Sequence, residues 1–155
     1  MPTIRPVQTD ADLDAVRHLF RAYVSSLDFD LDFQDVEQEI NALPGPYARP
    51  EGTLLLAEAD GTAVGVVATT PLDEPGVCEM KRLYVRPEYR NRGIGRALGE
   101  AILEAARRLG YDEMRLDTVA SMQAARSLYR SLGFEERPPY YPNPLDDVVY
   151  MERAL

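Results

Sequence analysis

Arg90-Asn91-Arg92-Gly93-Ile94-Gly95-Arg96 is the stretch whose residue types and spacing point most directly to chemistry. Gly93 and Gly95 carry no Cβ, so the backbone there can turn sharply and approach a ligand closely. A helix opening straight after the turn would aim free N–H groups and its positive dipole end at an anion. Between Lys81 and Arg96 stand six basic residues (Lys81, Arg82, Arg86, Arg90, Arg92, Arg96) and one acid, Glu88, within a chain of net charge −9. A basic island in an acidic protein reads as a dedicated anion site, and this geometry suits a pyrophosphate.

Two familiar phosphate loops do not fit. A Walker loop ends in Gly-Lys-Ser/Thr, and the residues here are Gly95-Arg96-Ala97. The dinucleotide fingerprint needs a small residue where Leu98 stands. Elsewhere, chemistry-bearing residues are sparse. Cys78 has no histidine nearby to activate it and reads as a buried strand residue. His18, the only histidine, lies far along the chain from the loop. No His, Cys and carboxylate cluster has metal-ligand spacing, so no metal is expected.

The elements that must position the loop follow from periodicity. Thr3 to Val7 reads as a short strand. Thr9-Asp10-Ala11-Asp12 is a Thr-x-x-acid cap for a first helix, with Leu13, Val16, Leu19, Phe20, Tyr23, Val24 and Leu27 at helical spacing. A second helix is expected from about Phe33 to Leu43, ended by Pro44-Gly45-Pro46. The six carboxylates and no cation between Asp28 and Glu39 form either a solvated acidic face or a rim that attracts a cationic amine. Thr53 to Ala59 and Thr62 to Thr70 flank Asp60-Gly61, a strong hairpin signal. Cys78 to Val85 is the strand entering the loop. The helix after it carries Ile94, Leu98, Ala101, Ile102, Ala105 and Leu109 on one stripe and stops at Gly110. Met114 to Thr118 is a strand, and Ser121 to Leu132 a fourth helix with Ala125, Leu128, Tyr129 and Leu132 on one side. Phe134 to Arg137 and Val148 to Arg153 close the chain as strands. The order is α+β, or mixed α/β, rather than a regular wound sheet.

The 155 residues fit one domain over 1–155, with charged residues at 28% and hydrophobic ones at 45% as in ordinary globular proteins. One cysteine excludes an internal disulfide framework and suits a reducing cytoplasm. No run reaches the roughly eighteen apolar residues of a membrane span, and no secretory signal opens the chain, so a cytoplasmic protein with no membrane partner is expected. A pI of about 4.6 argues against nucleic acid as a partner.

Arg90-x-x-Gly93-x-Gly95, with Leu83-Tyr84-Val85-Arg86-Pro87 before it and Ala97-Leu98 after it, resembles motif A of the GNAT acyltransferase superfamily. Ala125 to Phe134, with Tyr129 four residues before Gly133-Phe134, resembles motif B, although Met122 stands where an Asn often sits. The two motifs cover roughly residues 77 to 135, and the order of elements extends the likeness along the chain. The resemblance implies a GNAT fold: a twisted, mixed but mostly antiparallel sheet of six to seven strands flanked by four helices. It also implies N-acetyl transfer from acetyl-CoA, as co-substrate, to a primary amine by direct attack in a ternary complex. The alternative is a non-catalytic acyl-CoA-binding or regulatory module.

On that resemblance, the backbone of Arg90, Asn91, Arg92, Gly93, Ile94, Gly95 and Arg96 holds the CoA pyrophosphate, and Leu83, Tyr84 and Val85 pair with the pantetheine arm. A bulge is expected in that strand, and an N–H from it, that of Val85, is the candidate oxyanion donor. Tyr129 is the candidate acid for the leaving thiolate, although helical spacing alone would read it as a core aromatic. Glu79 is the candidate base, directly or through a water; the other reading pairs it on the surface with Lys81 or Arg82. Tyr84, Tyr140 and Tyr141 could line the acceptor pocket or simply pack. The acceptor is a small-molecule amine or a protein amine, with the acidic exterior leaning toward a cationic one such as a polyamine, an aminoglycoside or a protein N-terminus. A homodimer is compatible with the resemblance, since family members often dimerise.

Overall fold

The computed structural model describes residues 2–27 and 35–155. In chain order these form β1 (Thr3–Pro6), α1 (Asp10–Ser26), α2 (Val36–Asn41), β2 (Thr53–Ala59), β3 (Thr62–Pro71) and β4 (Val77–Val85). After the loop come α3 (Ile94–Arg108), β5 (Glu113–Val119), α4 (Gln123–Ser131), β6 (Glu135–Arg137) and β7 (Val148–Ala154). The strands make one sheet in the order β1-β2-β3-β4-β5-β7-β6. Every neighbouring pair is antiparallel except β4 with β5, where α3 is the crossover that lets two parallel strands meet. This is the expected mixed, mostly antiparallel sheet with four helices.

Strand alternation feeds two cores. Leu55, Ala57, Val64, Val67, Cys78, Met80, Met114 and Leu116 pack against Ile94, Leu98 and Ile102 of α3 and Tyr129 of α4. On the other face Leu54, Leu56, Val66, Ala68 and Tyr84 meet Val16, Leu19 and Phe20 of α1 and Ile40 of α2. Such burial of side chains on both faces of the central strands is the main stabilising contribution, at about 25 cal/mol per Å² of apolar area.

Local signals act as read. The Thr9 hydroxyl accepts the Asp12 N–H at 3.1 Å, and the Asp12 carboxylate accepts the N–H groups of Gln8 at 2.9 Å and Thr9 at 3.3 Å. Asp60 and Gly61 both take left-handed backbone, φ 55° and 75°, which matches the twist of the hairpin they close.

Several boundaries and one buried stripe differ from expectation. α2 ends at Asn41, because Pro44 disfavours helical backbone at Leu43; the expected start at Phe33 lies outside the described residues. α4 begins at Gln123, since its N-cap position is Met122, which has no oxygen to cap with. β6 starts at Glu135, Phe134 being buried in the core instead. On α3 the buried stripe includes Leu103 and Ala106, while Ala105 and Leu109 are only half-buried.

Candidate active site

β4 and β5 pair over only three residues, Val77 with Glu113, Cys78 with Met114 and Glu79 with Arg115. Past Glu79 the strands part, and a cleft of about 890 Å³ opens, walled by Met80 to Val85 on one side and Leu116 to Val119 on the other. β4 also bulges there. Ala68 pairs with Lys81 and Val66 with Tyr84, so Arg82 and Leu83 together oppose Val67. Arg82 takes φ 61°, a left-handed conformation that a non-glycine residue adopts only when its surroundings hold it. What holds it is a two-point ion pair: Arg82 Nε and Nη2 donate to Glu39 Oε2 and Oε1 at 3.1 and 3.2 Å, in a nearly dry setting. The expected bulge is therefore present, and Arg82 is paired with Glu39 rather than with Glu79, one of the partners in the alternative reading of that carboxylate.

Beyond the bulge the Arg86 N–H reaches back to Val64 O at 2.8 Å. Strand alternation then turns the Val85 N–H away from β3 and toward the cleft. The Val85 carbonyl, on the same side, accepts Arg90 Nε at 3.0 Å. The loop climbs through a 3-10 turn at Pro87–Tyr89, then Asn91 at φ 64° and Gly93 at φ 79°, into α3. No side chain caps that helix, so its first N–H groups face the cleft unpaired by capping. Arg90, Asn91, Gly93, Ile94, Gly95 and Arg96 line the cleft. Arg92 does not; it lies 5.0 Å over the Tyr89 ring. Arg96 donates to Ser131 Oγ at 2.8 Å and pairs with Glu100, tying the loop to α4.

Tyr129, from α4, lies in the cleft wall next to Phe134, whose ring stands edge-on 6.1 Å away. Burial, reinforced by the negative charge of neighbours including Asp117, holds its phenol above the ordinary range. Among the described residues its hydroxyl makes no hydrogen bond. Tyr84 shares the wall, its ring 5.9 Å from that of Tyr23 on α1 and under the Arg90 guanidinium.

Glu79 sits at the vertex where the strands part and is 8% exposed. Its carboxylate accepts the Tyr140 hydroxyl at 2.5 Å, and burial raises its pKa against the lowering effect of that bond. Glu79, Tyr140 and Tyr141 are not among the residues that line the cleft, so Glu79 stands just outside its β4 wall, which begins at Met80. The Tyr140 ring is flanked by the guanidinium groups of Arg115 at 5.4 Å and Arg137 at 5.5 Å. Tyr141 donates to Asp117 of β5, and its own carbonyl accepts the Tyr150 hydroxyl at 3.0 Å. Asp117, which the sequence reading did not single out, lines the cleft. Its signal was a lone carboxylate within Met114-Arg115-Leu116-Asp117-Thr118, on the face shared with Arg115.

The other candidates stay outside. Cys78 is fully buried, its thiol pushed up to about 12 by desolvation. His18 is exposed on α1. No group of three or more His, Cys, Asp and Glu among the described residues is arranged to hold a metal ion.

Known proteins resemble this arrangement. A sequence model described as the acetyltransferase (GNAT) family matches residues 13–134. An uncharacterized N-acetyltransferase of Schizosaccharomyces pombe is 43% identical over 154 residues, spanning 99% of this chain and 94% of that one. A GNAT-family acetyltransferase of Staphylococcus aureus superposes with a TM-score of 0.81 at 20% identity, over 99% of each chain. PaiA N-acetyltransferase from Thermoplasma acidophilum, solved in complex with coenzyme A, superposes with a TM-score of 0.77 at 20% identity, over 100% of this chain and 99% of that one.

Proposed function

The chain belongs to the GNAT acetyltransferase family and is an acyltransferase, and from that premise we propose that it moves an acetyl group from acetyl-CoA to a primary amine by direct attack, within a single domain over residues 1–155. The observation that carries the reading is that one cleft is bordered by the uncapped start of α3, by Val85 and by Tyr129 together. A pyrophosphate at Gly93 to Arg96 and a thioester near Val85 are what such a cleft accommodates, and the PaiA neighbour of the same fold holds coenzyme A.

In this reading the amine nitrogen attacks the thioester carbon as its proton passes to Glu79, directly or through a water. The carbonyl oxygen becomes an oxyanion, which the Val85 N–H stabilises; such a donor contributes about 3 kcal/mol in the transition state. Collapse breaks the C–S bond, and CoA leaves as a thiolate. Tyr129, kept a neutral phenol by burial, offers its hydroxyl hydrogen to that sulfur. Cys78, buried with a raised pKa, has no part as a covalent carrier.

The test is acetyl-CoA-dependent release of free thiol across a panel of amines, for wild type, Tyr129→Phe and Glu79→Gln. Turnover with at least one amine, falling about tenfold or more in either variant, is the expected result. Binding of acetyl-CoA without amine-stimulated thiol release from any panel member would overturn it.

A further inference from the structure

Asp117 is the only acidic side chain among the described residues that line the cleft. Both of its hydrogen-bond donors, the Tyr141 hydroxyl and Asn143 Nδ2, the latter at 3.3 Å, address the same oxygen, Oδ2. Oδ1 accepts nothing from the described residues, yet it is not one of their buried polar atoms left without a partner. The carboxylate is thus fixed in orientation on one side and open on the other. The donors are themselves braced: Asn143 Nδ2 also donates to the Tyr141 hydroxyl oxygen at 2.8 Å, and Asn143 Oδ1 accepts the Leu145 N–H at 2.9 Å. Glu79, by contrast, accepts the Tyr140 hydroxyl on Oε2 and is not among the residues that line the cleft.

We propose that Asp117 Oδ1 is the site that receives the ammonium group of the acceptor, and that the acceptor is a small monoamine whose apolar or aromatic stem lies against Leu27, Leu145 and Val148. This rests on the acetyl-transfer reading for the word acceptor, but the ammonium site stands on its own geometry. An oriented carboxylate in a partly desolvated wall binds an ammonium more strongly than an exposed one. The stem follows from the apolar side chains in the same wall. The single charge follows from Lys81, which lines the cleft on β4 without an ion-pair partner among the described residues and so repels a second cation. Arg82 is neutralised by Glu39 and adds little repulsion of its own.

The experiment is calorimetric titration of the CoA-saturated protein with butylamine, phenethylamine, the matching alcohols and spermidine, on wild type, Asp117→Asn and Tyr141→Phe. Coenzyme A affinity and thermal unfolding of each variant verify the fold. The monoamines should bind wild type more tightly than the alcohols or spermidine, and lose about tenfold or more of their affinity in Asp117→Asn, with CoA affinity unchanged. Tyr141→Phe, which keeps the carboxylate and removes one brace, should lose a smaller part and carries the test if Asp117→Asn fails to fold. Equal amine binding in wild type and variants, alcohols or spermidine binding as tightly as monoamines, or no amine binding at all would each overturn the proposal. Thiol release measured in parallel separates the two readings. Amine binding lost in Asp117→Asn while wild type transfers no acetyl group upholds the site and sinks the transfer reaction. Transfer in Asp117→Asn with wild-type kcat/KM for the amine does the reverse.

Discussion

Tyr140 and Glu79, 61 residues apart in sequence, share a hydrogen bond of 2.5 Å at the vertex between β4 and β5. The bond opposes burial, which raises the Glu79 pKa. Tyr140→Phe removes the opposing influence, so the rising limb of the pH–rate profile for acetyl transfer should move to higher pH, while Glu79→Gln should abolish that limb. Stability carries the same sign: a carboxyl whose native pKa lies above its unfolded value binds its proton more tightly in the native state. Its contribution therefore falls as pH rises from the ordinary carboxylate range through the raised value, and thermal melts of Glu79→Gln should show a flatter pH dependence there.

The two glycines of the loop should separate on substitution. A Cβ at Gly93 meets nothing within 4 Å but would sit on left-handed backbone at φ 79°, so Gly93→Ala should cost about 1–2 kcal/mol in thermal unfolding. A Cβ at Gly95 makes only ordinary contacts, 3.5 Å to Leu128 and 3.9 Å to Val85, both of them in the cleft wall. Gly95→Ala should keep its melting temperature and lose about tenfold or more in CoA affinity by calorimetry, because the added methyl takes ligand space.

Asp12 joins a helix cap to a salt bridge. Arg5 donates to it at 2.6 and 2.8 Å, and with the Gln8 N–H holds its carboxyl far below the usual range. A depressed native pKa gives stability that is present at neutral pH and is lost as pH falls below the unfolded value, near 4. Asp12→Asn should lower stability by about 1 kcal/mol at pH 7. The gap between variant and wild type should narrow as the melts are repeated at progressively more acid pH.

Cys78 should resist iodoacetamide in the folded protein and react readily once unfolded, as a thiol pushed up to about 12 within the core requires. Cys78→Ala should leave amine acetylation intact. Loss of turnover there with an unchanged melting temperature would point to a covalent route.

Much of this architecture was legible in the sequence because its signals are local. The Thr9 cap, the Asp60-Gly61 turn and the glycines of the loop each act over a few residues, and the resemblance to motif B, with Tyr129 four residues before Gly133-Phe134, singled out Tyr129. The electrostatic setting of the site was not local. Glu39 read as one more acid in a charged run, yet it is the partner that holds the Arg82 bulge, 43 residues away. Asp117 gained its place only when the 138–147 segment folded Tyr141 and Asn143 onto it. Tyr140 and Tyr141 were read as a possible lining and instead brace the carboxylates from behind, which no spacing rule encodes.

The brief ladder between β4 and β5 also divides the sheet into two halves. β1 to β4 are adjacent in the sheet and come from residues 3–85, while β5, β7 and β6 come from residues 113–154. Within these halves β2-β3 and β3-β4 are joined by short turns, whereas β1 meets β2 across residues 7–52 and β5 meets β7 across residues 120–147. The three residue pairs from Val77 to Glu79 are the only strand pairing between the halves among the described residues. The cleft is thus a seam between two halves of one sheet, closed at one end by that ladder and bordered by residues of α3 and α4.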